Sequence, residues 1–544
     1  MKHFAKILML IVVVAVHFEG AAARTIEIKM SQCPKPLLEN VRRIVATANA
    51  DDKVILNFDK NGTYEFDGSI KIRCNTIIKG VNSKKTRVIV KEGVAGGKSK
   101  MQDDTFFAVH GTSTRKVKVE VRDIRFELAS HKGTLWETAP KHIIKVCDGD
   151  GIMVDNATFW STDAVITHVD LRECSNVLVE NCTFENYNNC REGGCLWSRG
   201  EQRNLTVRNN VFWKYGNDEA LGFWGGKNNR VVYMGDILVE NNEFHYDNRT
   251  KFKSDIPIDV LIAFAHFETN STKYDCIIDN IVFKNNSITM NAIANCCMKL
   301  TFDKLAKIKS IEMSDNTLVN TSRCSKSSYY HTDIEVSGDM SNVDGYPIKI
   351  KDNNITSECE VLCDGKNSGY TFMGIKGSKV LLKHNTITSR YGVALLWSHG
   401  RNIDVLLDNN TVSHMYKIAI LNDNTLTGTA RITATSNEFD GETGIYCKNV
   451  KNLILDFTSN VFNATDYHFF MVEGAGESNS LTFDNNVVNS IGGRGALYAN
   501  YSGKNHPFDK VRITNNVFNG IKRDAVEQVI KKGNRITMSG NIYK

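Results

Sequence analysis

Arg208–Gly226 reads RNNVFWKYGNDEALGFWGG, and two signals meet in it. Its first half carries Asn210, one intervening residue and then Phe212, a pattern that recurs down most of the chain. Its second half holds an adjacent acid pair, Asp218 and Glu219, followed by small and aromatic residues. That arrangement occurs nowhere else in the sequence.

Aligning the Asn two residues before a large apolar residue gives one column: Asn210, Asn242, Asn286, Asn316, Asn353, Asn385, Asn410, Asn437, Asn460, Asn486, Asn516 and Asn541. Spacings run from 23 (437 to 460) to 44 (242 to 286), most of them between 25 and 32. Ala157 and Cys182 hold the same place in the earlier units VDNATF and VENCTF. Most of these positions follow a β-rich pentad such as VLVEN, LTVRN or VRITN. About nine residues later most units carry a second apolar strand, as in ALLWSHG, AILND and GIYCK. Strands stacked in register about 4.8 Å apart place equal positions above one another. Asn in such a column passes amide hydrogen bonds from coil to coil, and stacked apolar residues build a core that no single unit could bury. The expectation is an all-β chain folded as a single β-solenoid.

Coils of this length, with two or three short strands each, resemble the right-handed parallel β-helix of the pectin-lyase-like superfamily over roughly residues 50–544. The opening VILNF, NGTYEF, IKI and TIIKG belongs to the same pattern. A β-propeller would want a period near 40–45 with Gly-His and Trp-Asp marks, and a leucine-rich repeat would want a tighter period. Neither fits. Ahead of the solenoid, Pro34–Asn49 places Leu37, Leu38, Val41, Ile44 and Val45 at helical spacing. That short helix caps the open edge of the first coil, within a cap of about residues 24–50.

The bulk numbers set limits. A 42% hydrophobic and 24% charged composition is that of an ordinary globular protein. A net charge of +6 over 544 residues permits an acidic glycan partner without demanding one. No basic run points to nucleic acid. Lys2, His3 and Lys6 precede the apolar run Ile7–Val16, and Ala21-Ala22-Ala23 supplies a cleavage site. Residues 1–23 are therefore expected to be a signal peptide, with 24–544 the β-helix domain. No stretch is long enough to span a bilayer and no Cys marks a lipid anchor, so a secreted, periplasmic or cell-envelope monomer is expected. Of 14 Cys, Cys190/Cys195 and Cys359/Cys363 are near enough to pair, and Cys296-Cys297 are adjacent. Cys195 and Cys447 equally read as buried fillers.

Units between Asn242 and Asn286, and between Asn316 and Asn353, carry insertions, and long loops on a rigid scaffold are where function concentrates. The resemblance implies a groove walled by such loops, over roughly residues 136–335. Aligning the small first residue of the second strand (Ala164, Gly194, Ala220, Ala394, Ala419, Gly444) predicts that the next residue faces the core. Alternation then sends His168, Ser198 and Trp224 outward. Two residues before the small one stand Thr162, Glu192 and Asp218, with Asp163 and Glu219 beside them. Glu192 and Asp218, one coil apart, would lie about 4.8 Å from each other, and Asp163 and Glu219 about 9.6 Å. These separations bracket the carboxylate pairs of retaining and inverting glycosidases. Trp224, with Trp160, Trp197 and Trp213 nearby, offers a face for a sugar ring, and Trp197 and Trp397 read as core. His266 and Tyr330 are further substrate-binding candidates.

The first reading is glycosidic-bond hydrolysis of a polysaccharide, acidic or neutral, by Asp163, Glu192, Asp218 and Glu219 with His168. A polysaccharide lyase would instead use Arg199 or Lys299 as base, commonly Lys or Arg in the superfamily, with acids holding Ca²⁺. Hydrolysis itself calls for no cofactor and no metal. The polygalacturonase-like pattern of paired Asp, Gly-His-Gly and Arg-Ile-Lys is absent. A third reading is a non-catalytic binding or adhesion solenoid, because acids also sit at solenoid bends to accept backbone N–H bonds.

Overall fold

The computed structural model describes residues 23–91, 105–129, 142–162, 167–187, 194–214, 219–225, 230–247, 262–269, 273–291, 296–321, 323–324, 332–340, 343–358, 360–361, 371–399, 402–422, 428–441, 444–448, 452–464, 470–473, 479–490, 497–500, 508–523 and 535–544. The expected signal peptide lies outside this set, apart from its last residue.

Every coil stacks on the next through parallel strands, so the chain is a parallel β-helix. Its first strand, Thr25–Lys29, already pairs in register with Lys53–Asn57. The stack thus begins ahead of the helix Leu37–Val45, whose Leu38, Val41 and Val45 are buried against the first coils.

Three strands recur per coil, and Gly194–Arg208 followed by Val211–Lys214 shows how. Cys195 to Arg199 lies on the first sheet and Leu205 to Arg208 on the second. At the corner, Asn209 takes a left-handed φ of 55°, the conformation that Asn tolerates best after Gly. Asn210 then turns into the core and Val211–Lys214 starts the third sheet. The same left-handed place is held by Asn181, Asn241, Asn285, Asp315, Asp352, His384 and Asn409 in other coils.

The asparagine column forms as the sequence predicts. Asn210 Nδ2 donates to Asn242 Oδ1 at 3.0 Å, and the relay runs through each successive member to Asn541. Ahead of it, Cys182 occupies the ladder site and its backbone N–H reaches Asn210 Oδ1 at 2.9 Å. Each buried amide also bonds a backbone carbonyl, such as Val179 O for Asn210, so burying it leaves no polar atom stranded. Beside the ladder, Phe126, Phe159, Phe184, Phe212 and Phe244 stack ring on ring at 4.6–5.3 Å. Nine of the described cysteines are free thiols, Cys195, Cys296 and Cys297 among them, all three buried. Cys190, Cys359 and Cys363 lie outside the described residues.

Candidate active site

On the first sheet, the core face is built from Ile144, Val169, Leu196, Leu221, Ala265 and Met298, which pair coil to coil. Period-two alternation puts their neighbours on the outer face. One outer column reads Lys145, Asp170, Trp197, Gly222, His266, Lys299 and Glu335. The next reads Cys147, Arg172, Arg199, Trp224, Glu268 and Thr301.

Asp170 is completely shielded from solvent although it lies on this outer face. Arg172 Nε donates to its Oδ2 at 2.8 Å, and Arg199 Nε stands 3.4 Å from Oδ1. His142 Nε2 adds a contact at 3.4 Å to Oδ2. A buried carboxylate is tolerated only when paired in this way. Arg199 also lies over two indoles, 4.6 Å from the ring centre of Trp197 and 5.0 Å from that of Trp224. The indoles meet edge to face at 4.8 Å. Cation, ring faces and acid therefore lock one another in place. Burial lowers the His142 imidazole to about 3, with the Asp170 charge opposing that shift, so the ring is neutral near pH 7.

Glu219 is the second fully buried carboxylate of this face. Gly222 explains how it fits. A Cβ at Gly222 would lie 2.5 Å from Glu219 Oε1 and collide with the Trp224 ring. The missing side chain in the outer column is thus replaced by the Glu219 carboxylate and the folded-back indole. On the neighbouring coil His266 stands between two acids, with Nδ1 3.9 Å from Glu219 Oε2 and Nε2 3.8 Å from Glu268 Oε2. Beneath, the buried Lys214 ammonium lies 4.9 Å from the Tyr246 ring centre. Lys214 and Glu219 act in opposite senses on the Cys195 thiol, which burial pushes up to about 12. Both charges are therefore within electrostatic reach of one interior point.

The structure places Glu219, Arg199, Trp224, His266 and Lys299 on one face. Asp163, Glu192, Asp218 and Tyr330 lie outside the described residues, as do the two carboxylate separations built on them. His168 is corrected. It points into the core, with Nε2 2.8 Å from Ser161 Oγ and its ring stacked between Phe159 and Phe184 at 5.9 and 6.0 Å. Burial drives its pKa down to about 3, which makes it a neutral packing residue rather than a catalyst. Ser198 is inward too, paired with Leu171 and Phe223. Trp197 and Trp397, expected inward, stand in the outer column, where Trp197 is covered by its neighbours. Ile420 likewise pairs with Trp397 on the outer face.

One cause accounts for these corrections. Gly194 pairs with Thr167 rather than Ala164, and Trp224 pairs with Arg199 rather than Ser198. Loops of unequal length precede the strands, so the small residue is no fixed mark, and a slip of one residue turns a side chain to the other face. Sequence reasoning missed Asp170, His142 and Arg172. The signal was available in THVDLR, where Val169 and Leu171 alternate with Asp170 and Arg172. Among the described residues, no three His, Cys, Asp or Glu side chains converge as a metal site would require.

A family model described as the right-handed β-helix region matches residues 373–543. No curated protein matches the sequence. Among solved structures, the chain is similar to the DFA-IIIase of Arthrobacter chlorophenolicus A6 in complex with DFA-III, at 11% identity and a TM-score of 0.40, over 77% of this chain and 94% of that one. It is similar to a tailspike protein of E. coli bacteriophage HK620 at 9% identity and a TM-score of 0.39, over 95% and 78%. A family 28 exopolygalacturonase of Yersinia enterocolitica follows at 11% and 0.30, over 76% and 79%. At such values these likenesses carry nothing about reaction.

Proposed function

We propose that this parallel β-helix, which resembles the pectin-lyase-like superfamily in its coils and gathers acids and indoles on one outer face, is an exported carbohydrate-active enzyme that hydrolyses glycosidic bonds. The observation that carries this reading is the Glu219 carboxylate, shielded from water, laid over Gly222 and set 3.9 Å from His266 Nδ1. Hydrolysis needs one carboxyl group to exchange a proton with the glycosidic oxygen and a second to activate water or attack carbon. Glu219 takes one role. The second acid comes from Asp163, Glu192 or Asp218, which immediately precede the strands of this face in sequence. Trp224, the half-buried indole of the pair, offers apolar surface to a sugar ring, the buried Trp197 backs it, and Arg199 holds both indoles in place.

Elimination finds less support. Arg199 is committed to Asp170 and to two aromatic faces, contacts that occupy its guanidinium. Lys299, between His266 and Glu335 in the outer column, is the base that a lyase would use. The test incubates the protein with neutral and acidic glycans while following reducing ends and the ultraviolet absorbance of an unsaturated uronate. New reducing ends without that absorbance mean hydrolysis, and both signals together mean a lyase. Neither signal across a broad glycan panel would leave a binding solenoid.

A further inference from the structure

Among the described residues, three buried polar atoms on adjacent coils lack a hydrogen-bond partner, and the residues that carry them adjoin one another. Trp197 is 3% exposed, yet its indole Nε1–H, folded back over Gly194, donates to nothing. His142 is 5% exposed, and its Nδ1 is likewise unmet while Nε2 faces Asp170. Asp170 Oδ1 accepts no hydrogen bond, although Arg199 supplies charge at 3.4 Å. Thr167 pairs in register with both His142 and Gly194, so its coil lies between the one that carries the imidazole and the one that carries the indole. Those two rings stand 6.4 Å apart between centres, edge to face.

A buried polar atom left unmet costs about 1–3 kcal/mol. Three such atoms on neighbouring coils are more than a core normally tolerates, and ligands are what meet such debts at binding sites. The geometry points to a subsite for a neutral, hydroxyl-rich sugar unit held by Trp197, His142 and Asp170. This deepens the glycan reading above and rests on it.

The chemistry of the three atoms selects the ligand. Indole N–H can only donate, and a carboxylate oxygen can only accept. The neutral imidazole, with Nε2–H turned to Asp170, presents a lone pair at Nδ1. The occupant must therefore bring protons and lone pairs on adjacent atoms. Vicinal hydroxyls do so, since each both donates and accepts. A carboxylate or sulfate brings no proton and would set a second anion against Asp170, whose charge Arg172 and Arg199 already neutralise. In the outer column Asp170 stands two strand steps, about 9.6 Å, from Gly222 and the Glu219 carboxylate. A glycan lying along the helix axis would thus occupy this subsite with a unit other than the one cleaved beside Glu219.

The test follows intrinsic tryptophan fluorescence and saturation-transfer NMR of the full chain. Probes are neutral methyl glycosides (hexopyranosides, pentopyranosides and fructofuranosides) and the matching glucuronate and galacturonate. At least one neutral glycoside should saturate, with the uronates about tenfold weaker or more. Trp197→Phe, which keeps the ring and loses the N–H, and His142→Phe should each weaken the neutral ligand about tenfold, one hydrogen bond's worth. Circular dichroism checks that both variants fold, and either one suffices. Uronates binding as well as neutral glycosides, unchanged affinity in both variants, or no neutral probe binding would overturn the subsite. Neutral glycosides binding to a protein that cleaves no glycan would sink the hydrolase reading and leave this one standing.

Discussion

Glu219 and His266, on neighbouring coils, bring a carboxylate oxygen and an imidazole nitrogen to 3.9 Å on the outer face of the first sheet. If Glu219 moves the proton in glycosidic cleavage, the isosteric Glu219→Gln should lower kcat by about 10²–10⁴-fold, the range for loss of a general acid or base. KM and the urea midpoint should change little. His266→Gln, which keeps a polar side chain but not the imidazole, should cost about tenfold in kcat. Steady-state rates on the cleaved glycan measure both. A Glu219→Gln protein with near-normal turnover removes this residue from the chemistry.

Gly222 leaves the space in which Glu219 and Trp224 sit, so a single methyl should displace both. Gly222→Ala is expected to lose activity to nearly the extent of Glu219→Gln and to destabilise by about 1–3 kcal/mol from overpacking. Gly374→Ala, further along the same column, is the control. There the nearest atoms are Thr332 Cγ2 at 3.4 Å and the Trp397 ring at 3.6 Å, ordinary contact distances. Activity and urea unfolding of the two variants should diverge. Equal behaviour would mean that the acid and indole do not depend on this gap.

The fold was legible because one residue type marks one place. Asn210 to Asn541 hold the same site in successive coils, since an amide side chain can accept from one coil and donate to the next. The site was less legible because its register had to be inferred from small residues at the ends of loops. Ala164, Gly194 and Ala220 are not equivalent, so His168 and Ser198 were assigned to the wrong face. Trp224 and Glu219 survived the slip. Asp170 did not stand out, because its burial comes from Arg172, Arg199 and His142, and their meeting depends on pairing across three coils. Anchoring on Val169, Leu196 and Leu221, whose apolar character fixes the inward face, would have placed it.

Asn410 accepts from the backbone N–H and Nδ2 of Asn385 at 2.9 and 3.0 Å, and it donates to Leu382 O and Asn437 Oδ1, both at 2.9 Å. Asn410→Ala removes all four bonds and strands buried groups on both sides. The expected cost is about 3 kcal/mol or more, since each unmet buried group costs about 1–3 kcal/mol. Asn541→Ala, whose site is only partly buried, should cost less. Urea titrations would compare them. Similar small losses would show that the stacked core, not the amide relay, carries this edge of the helix.

Asp333 lies wholly inside the coil, where Asn320 Nδ2 donates to its Oδ1 at 3.1 Å. Burial pushes its carboxyl up to about 8 from an ordinary value of 3.8, with the Asn320 bond only partly offsetting the shift. Between these two values the folded chain holds a proton there that the unfolded chain has released. Unfolding stability from this group is therefore fully present below pH 3.8 and declines as pH rises toward 8, by at most about 1.4 kcal/mol per pH unit. Asp333→Asn, neutral at every pH, should match the parent near pH 4 and exceed it near pH 8. Urea unfolding at the two pH values reads the difference. A variant that is no more stable than the parent at pH 8 would show that Asp333 is ionised in the folded protein and compensated there.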